Sequence, residues 1–199
     1  MNKTLRNDCT TEQDTVETLI FFAIAMGLSM DCFAITISNS SISGKVEPGI
    51  PLKLTLAFTL SHLLLLFLGH RLGGTLQPMF EGHGQWMAFA VLTIVGVKMI
   101  MEWRKRDPRS KAFDINRAAV ILILSLATAV DAFLSGIALG IAGMRLGPVA
   151  GMLLILVFVF SLGGMVAGRQ LGLKFARSMA VLGGIFLVMA AAMILMRIL

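Results

Sequence analysis

Six long apolar runs, each closed by polar residues or by glycine and proline, set the rhythm of this chain. They fall at about 18–38, 52–72, 86–103, 118–142, 149–168 and 178–197. Each is close to the roughly 20 residues that a helix needs to cross a hydrocarbon core of about 30 Å. A backbone in lipid must satisfy its own hydrogen bonds, so each run is predicted to be a helix. Residues 1–17 form a polar tail, and Asp14 with Glu17 three residues on predicts a capping box that starts the first helix at Asp14. The first run carries an aspartate and no small-residue cleavage site, so it reads as a span and not as a signal peptide. Trp86 and Trp103 bracket the third run, and seventeen steps of 1.5 Å separate them by roughly 25 Å, the spacing of two interfacial anchors.

Composition fixes the class. The 199 residues are 57% hydrophobic and 14% charged, against about 45–50% and about 25% in soluble domains. Six spans leave no length for a soluble domain, so the fold class is all-α integral membrane. The net charge of +6 does not point to nucleic acid, because the basic residues lie in the loops. Loops 39–53, 104–117 and 169–177 hold Lys45, Lys53, Arg104, Lys105, Arg106, Arg109, Lys111, Arg117, Arg169, Lys174 and Arg177, eleven in all. The other side holds five: Lys3, Arg6, Arg71, Arg145 and Arg197. The richer side is expected to be cytoplasmic, which puts both termini outside. Cys9 and Cys32 sit in the tail and in the first run, at different depths, which argues against a disulfide or a metal site built on cysteines.

An internal repeat organises the spans. Asp31, Phe33 and Ile37 in the first run return as Asp131, Phe133 and Ile137 one hundred residues later. Gly69, Leu72 and Gly73 return as Gly168, Leu171 and Gly172 at an offset of 99. Residues 18–103 and 118–199 therefore read as two three-helix units joined by the basic loop 104–117. Three is odd, so the second unit enters from the opposite side, which gives inverted repeats of the kind that place a transport site near the midplane. Glycines at spacing four, Gly69 with Gly73, Gly136 with Gly140, and Gly164 with Gly168 and Gly172, predict close helix contacts.

Candidate chemistry follows from depth. Asp31 and Asp131 are each about the fourteenth residue of their runs, where an ionised carboxylate costs roughly 3 kcal/mol on insertion scales. Something must balance that charge: a proton, a metal, or each in turn. Thr128 and Ser135 share the helical face of Asp131, and Gly27 and Ser38 share that of Asp31. Hydroxyls bonded to their own backbone are the plainer reading of these residues. Oxygen ligands favour Mg, Ca or Mn. His62, in the middle of the second run, suits Mn, Fe or Zn as a ligand, or is a hydrogen-bonded core residue. Lys98 lies toward the cytoplasmic end of the third run, too far to neutralise both aspartates, and reads with Glu102 as an interfacial ion pair. Ser38, Lys98 and Glu102 are the secondary candidates.

The segments Met30-Asp31-Cys32-Phe33-Ala34 and Ala127-Thr128-Ala129-Val130-Asp131-Ala132 resemble the paired aspartate signatures of the MntP-type manganese exporters. Trp86-Met87-Ala88-Phe89 and Gly96-Val97-Lys98-Met99-Ile100-Met101-Glu102 are similar to that family's third span. The resemblance covers residues 18–197. It implies a six-span bacterial inner-membrane protein of the wider lysine-exporter superfamily that exports Mn(II), with Asp31 and Asp131 as the membrane aspartates and His62 where the family carries Glu, Gln or His. The chain departs from the pattern at Ser38-Asn39-Ser40, at Leu66 in place of a proline and at Cys32 in place of an alanine. The expected function is secondary export of manganese through an Asp31–Asp131 site helped by Thr128, Ser135 and His62, with protons exchanged because they compete with metal for the carboxylates. Manganese is then substrate and no cofactor is expected. The partners are the ion and the bilayer, with no nucleic acid, and the sequence names no protein partner. The rivals are export of cadmium, iron or a cationic amino acid, a non-transporting scaffold, and an intramembrane aspartyl protease. The protease reading lacks the Gly-x-Gly-Asp sequence, so no enzyme is expected.

Overall fold

The computed structural model describes residues 3–42, 49–80, 82–105 and 118–196. The loop cations Lys45, Arg106, Arg109, Lys111, Arg117 and Arg197 lie outside the described residues, as do the side chains of Lys3, Arg6, Cys9, Asp14, Trp103, Arg104, Lys105 and Arg169.

The described chain is helical. In order it forms α1 (Lys3–Ile42), α2 (Ile50–Leu76), a 3-10 turn at Gln77–Phe80, α3 (Gly84–Lys105), α4 (Ala118–Ile141) and α5 (Leu146–Met196). Six segments are long and apolar enough to cross a membrane: Val16–Ser41, Ile50–Phe80, Gly84–Glu102, Ala119–Ile141, Leu146–Val166 and Lys174–Met196. The last two are arms of α5, which bends at Gly172 (φ 69°, ψ 173°), a conformation that glycine adopts without a Cβ penalty. The arms run in opposite senses along α1. Gly164 and Gly168 of the first arm meet Phe33 and Ile37, whereas Gly183 in the second arm meets Met30 and its neighbour Leu187 lies against Gly27.

One expectation fails at the N-terminus. Helix α1 begins at Lys3 and passes through Asp14 unbroken, so Asp14 does not start the helix. No glycine or proline occurs before Gly27. A helix already nucleated by its apolar span extends backwards at only the small cost of residue propensity.

The other boundaries follow ordinary stop signals. Gly49 (φ 103°) precedes α2, with a proline in its first turn. Helix α4 ends in a Schellman motif: Met144 N–H donates to Leu139 O at 3.0 Å and Gly143 N–H to Gly140 O at 3.1 Å, with Gly143 at φ 67°.

Packing makes α1 the centre of the bundle. Its membrane window is 83% buried, against 28–44% for the other five, because both arms of α5 cover it. Leu60, Ile94, Ile123, Ile155 and Val166 are exposed, as a surface facing lipid tails requires. Helices α2 and α4 run parallel in close contact. A Cβ on Gly69 or Gly73 would strike the carbonyl oxygens of Phe133 or Ile137, and one on Gly136 or Gly140 those of Leu66 or His70. Six of the seven predicted glycine contacts are present and serve backbone approach between helices; Gly172 is the exception, with open space about it, because it forms the bend of α5 instead. The fifth span meets the first in the same manner, with Gly164 on the Phe33 carbonyl and Gly168 on the Ile37 carbonyl.

Candidate functional site

Three charged side chains meet where α3 crosses α4, one of them mostly buried and two half-exposed. The two helices are antiparallel, with Gly84 packed against Ile141 at one end and Lys98 level with Asp131 further along. Lys98 Nζ lies 3.4 Å from Asp131 Oδ1 and 3.8 Å from Glu102 Oε1. The Asp131 side chain is 16% exposed, and those of Lys98 and Glu102 are 46% and 52% exposed. One ammonium group therefore stands between two carboxylates, the deeper of which it neutralises. The Lys98–Glu102 pair is present as the spacing suggests. What spacing along a single helix missed is the crossing helix, which brings the long lysine side chain to Asp131.

Asp31 is buried on α1. Helices α1 and α4 touch only slightly, since each packs mainly on other helices. Among the described residues, no three His, Cys, Asp or Glu side chains converge.

His62 is also buried, and its neighbours are definite. Its Nε2 is 3.4 Å from Cys32 Sγ on α1, and its Nδ1 is 2.9 Å from the Phe58 carbonyl one turn back. Spacing had offered His62 as a helper of the aspartates or a core residue. Its partner is the thiol beside Asp31, a contact between two helices that no one-dimensional pattern reveals.

The hydroxyls divide. Thr128 Oγ1 donates to Ser125 O at 3.0 Å and Ser38 Oγ to Ala34 O at 2.8 Å, which is the backbone-bonded arrangement; their lone pairs stay available. Ser135 Oγ differs: fully buried one turn beyond Asp131, it has no hydrogen-bond partner among the described residues. An unsatisfied buried hydroxyl costs about 1–3 kcal/mol; Asn39 Oδ1 and Thr93 Oγ1 are likewise buried without a partner among the described residues. Two hydroxyl pairs absent from the sequence reading also cross between helices, Ser61 Oγ to Ser125 Oγ and Thr55 Oγ1 to Ser161 Oγ, both at 3.2 Å. Isolated hydroxyls in apolar runs were the only signal for them. At the opposite end of the bundle, Gln77, Phe80, Gln85, Trp86, Ile141 and Ala142 line a cavity of about 580 Å³. Among the described residues that lining has no carboxylate, imidazole or thiol.

Six apolar spans enclosing buried ionisable groups define a multi-pass membrane protein. The chain belongs to the MntP family, whose model, described as "Putative manganese efflux pump", matches residues 45–195. A Bacteroides thetaiotaomicron protein named "Putative manganese efflux pump MntP" is 32% identical over 177 residues, which is 85% of this chain and 91% of that one. Relatives of the same name from Methanosarcina barkeri (30% over 167 residues; 84% and 89% of the two chains) and Methanoregula boonei (29% over 176 residues; 88% and 95%) are similar to it over comparable lengths. No solved structure matches the chain. Membership places the chain among transporters and not among enzymes.

Proposed function

We propose that this protein exports Mn(II) from the cytoplasm across a bacterial inner membrane, in exchange for protons, with both termini outside. The names of its relatives supply the ion. The observation that carries the site is the ammonium–carboxylate bridge at Asp131, because a deep carboxylate already holding a tethered cation is one that a mobile cation can claim.

In this reading the ion enters at Asp131 and displaces Lys98, which keeps Glu102 one helical turn away. Thr128 and Ser135, the latter without a hydrogen-bond partner among the described residues, add neutral oxygens from the same helix. Asp31 completes the charge when the two halves approach, and protons compete for both carboxylates. After release Lys98 returns to Asp131, so the empty carrier does not carry an unbalanced charge through the bilayer.

The halves are residues 18–103 and 118–199, related as inverted repeats. Support comes from the matching glycine contacts. Phe33 and Ile37 stand to Gly164 and Gly168 as Phe133 and Ile137 stand to Gly69 and Gly73. Contact geometry thus pairs the second and fifth spans at an offset of 95, one helical turn from the 99 read off the glycine–leucine pattern. A four-residue repeat of small residues permits either register.

The test is manganese uptake by everted vesicles at two pH values. Wild type is expected to accumulate manganese, faster with an outward-directed proton supply, and Asp31→Asn and Asp131→Asn are expected to lose uptake. Wild-type rates in both variants would refute the site. Unchanged manganese tolerance and content in cells lacking the protein would refute the substrate, and metal-sensitivity profiles of those cells would then separate cadmium, iron and cationic amino acids.

A further inference from the structure

We propose that Asn39 is the first ligand met by a cation entering from the cytoplasm, in a seam of neutral oxygens that leads inward to the deep carboxylates. The proposal rests on the export reading and names where the ion of that reading enters.

An unpartnered oxygen is not enough by itself, since Thr93 Oγ1 and Ser135 Oγ share that condition with Asn39 Oδ1 among the described residues. Asn39 differs in its orientation and its company. It is 3% exposed, and its Nδ2 donates to the Ile35 carbonyl at 3.2 Å. The reverse assignment would set oxygen against oxygen, so the free group of the carboxamide is the acceptor. Asn39 lies seven residues beyond Cys32, within about 20° of two full turns. It therefore shares the face that carries the Cys32 thiol to His62 on α2. Thr55 stands seven residues before His62, on the matching face of α2. As successive spans, α1 and α2 are antiparallel. One seam thus holds the Cys32–His62 contact and, about 10 Å nearer the cytoplasm, Asn39 on one side and Thr55 on the other. Thr55 Oγ1 donates to Ser161 Oγ at 3.2 Å, which brings α5 to the same place.

The rest of the interior divides in the same sense. Thr59, Ser125 and Thr128 are also buried on the cytoplasmic side of the aspartates. On the outer side the buried polar residues are Ser29 and Ser135, and there α2 and α4 close backbone on backbone at Gly69, Gly73, Gly136 and Gly140. The hydroxyl pairs of the inner half, Thr55–Ser161 and Ser61–Ser125, are 3.2 Å apart, longer than the preferred O–H···O distance of about 2.7–2.8 Å. Such pairs open more easily to a water or an ion than helices joined at glycine. Ligand type agrees: carboxamide and hydroxyl oxygens suit Mg, Ca or Mn, and neutral ligands release a divalent ion onward. No Lys or Arg is among the buried described residues to repel it. The plainer alternative is an asparagine tied only to its own helix, with the hydroxyl pairs as contacts between helices.

The experiment has two arms. In the first, Asn39→Cys, Thr55→Cys and Thr59→Cys are each made in a chain freed of other thiols by Cys9→Ser and Cys32→Ala. Everted vesicles are then treated with a membrane-impermeant cationic methanethiosulfonate. All three are expected to react from the cytoplasmic face at least fivefold faster than Leu139→Cys, buried in the outer half, and Leu60→Cys, which faces lipid. Reaction no faster than in those controls, or reaction from the outer face alone, would overturn the entrance. In the second arm, Asn39→Leu in the natural chain is expected to raise the manganese concentration for half-maximal uptake at least fivefold without lowering the melting temperature, and Asn39→Asp to lower that concentration. A wild-type value in Asn39→Leu would overturn the ligand role, and this arm decides should the thiol-free chain not fold. The labelling arm contains no manganese. Labelling in vesicles that take up no manganese would therefore refute the ion and keep the entrance, whereas uptake without labelling would refute the entrance and keep the export reading.

Discussion

If Lys98 is the cation that manganese must displace from Asp131, then removing its charge should tighten manganese binding. At the observed 3.4 Å, Coulomb attraction is about 1 kcal/mol with the screening of bulk water and about 5 kcal/mol at an effective dielectric constant of about 20. Lys98 is half-exposed and keeps a second carboxylate, Glu102, at 3.8 Å, so the cost of leaving Asp131 belongs near the lower figure, about 1–2 kcal/mol. At about 1.4 kcal/mol per tenfold, Lys98→Gln is expected to lower the manganese concentration for half-maximal uptake by about 5- to 30-fold. Lys98→Arg should stay near wild type. Glu102→Gln should raise the half-maximal concentration, since the displaced ammonium loses its other partner. The assay is the initial rate of uptake into everted vesicles over a manganese concentration series. A half-maximal concentration that is unchanged or raised in Lys98→Gln would show that the ammonium does not compete with the ion, and the displacement step would fall.

Other outcomes follow from particular contacts. Gly136→Ala puts a methyl group against the Leu66 carbonyl and should cost about 1–3 kcal/mol by forcing α2 from α4, seen as a lower melting temperature in detergent; an unchanged melt would contradict the close contact. Ser135→Ala removes a buried hydroxyl without a partner among the described residues and should leave the melt unchanged or raised, while slowing manganese uptake if that oxygen meets the ion. Gly172→Ala, at φ 69° and ψ 173°, should destabilise by about 1–3 kcal/mol, whereas Gly147→Ala, which has open space around it, should not. A C-terminal reporter active only outside the cytoplasm should be active on this chain, and inactivity would reverse the assigned orientation.

Much of this protein was legible in one dimension, for reasons of solvent. A helix in lipid must be about 20 apolar residues long, so the number of spans and their approximate limits are written in the runs themselves, and the cost of a deep carboxylate singles out Asp31 and Asp131. The limits failed where no local signal opposed the helix: α1 runs on through the polar tail to Lys3 because nothing before Gly27 interrupts it. Glycine spacing foretold close contacts on the second, fourth and fifth spans but named no partner helix, and a repeat of four small residues could not fix the register between the second and fifth spans, whose contacts correspond one turn from the sequence match.

What the sequence by itself determined is the class: an all-helical, six-span membrane protein with two deep acids. Partnership was left to the tertiary structure. Lys98 is four residues from Glu102, which a helix makes neighbours, yet thirty-three residues from Asp131, reached only because α3 crosses α4 antiparallel. Cys32 and His62 are thirty residues apart on separate helices and meet only when the bundle closes. Periodicity reports which face of a helix a residue occupies, whereas side-chain chemistry depends on what another helix sets against that face, and that is decided by packing.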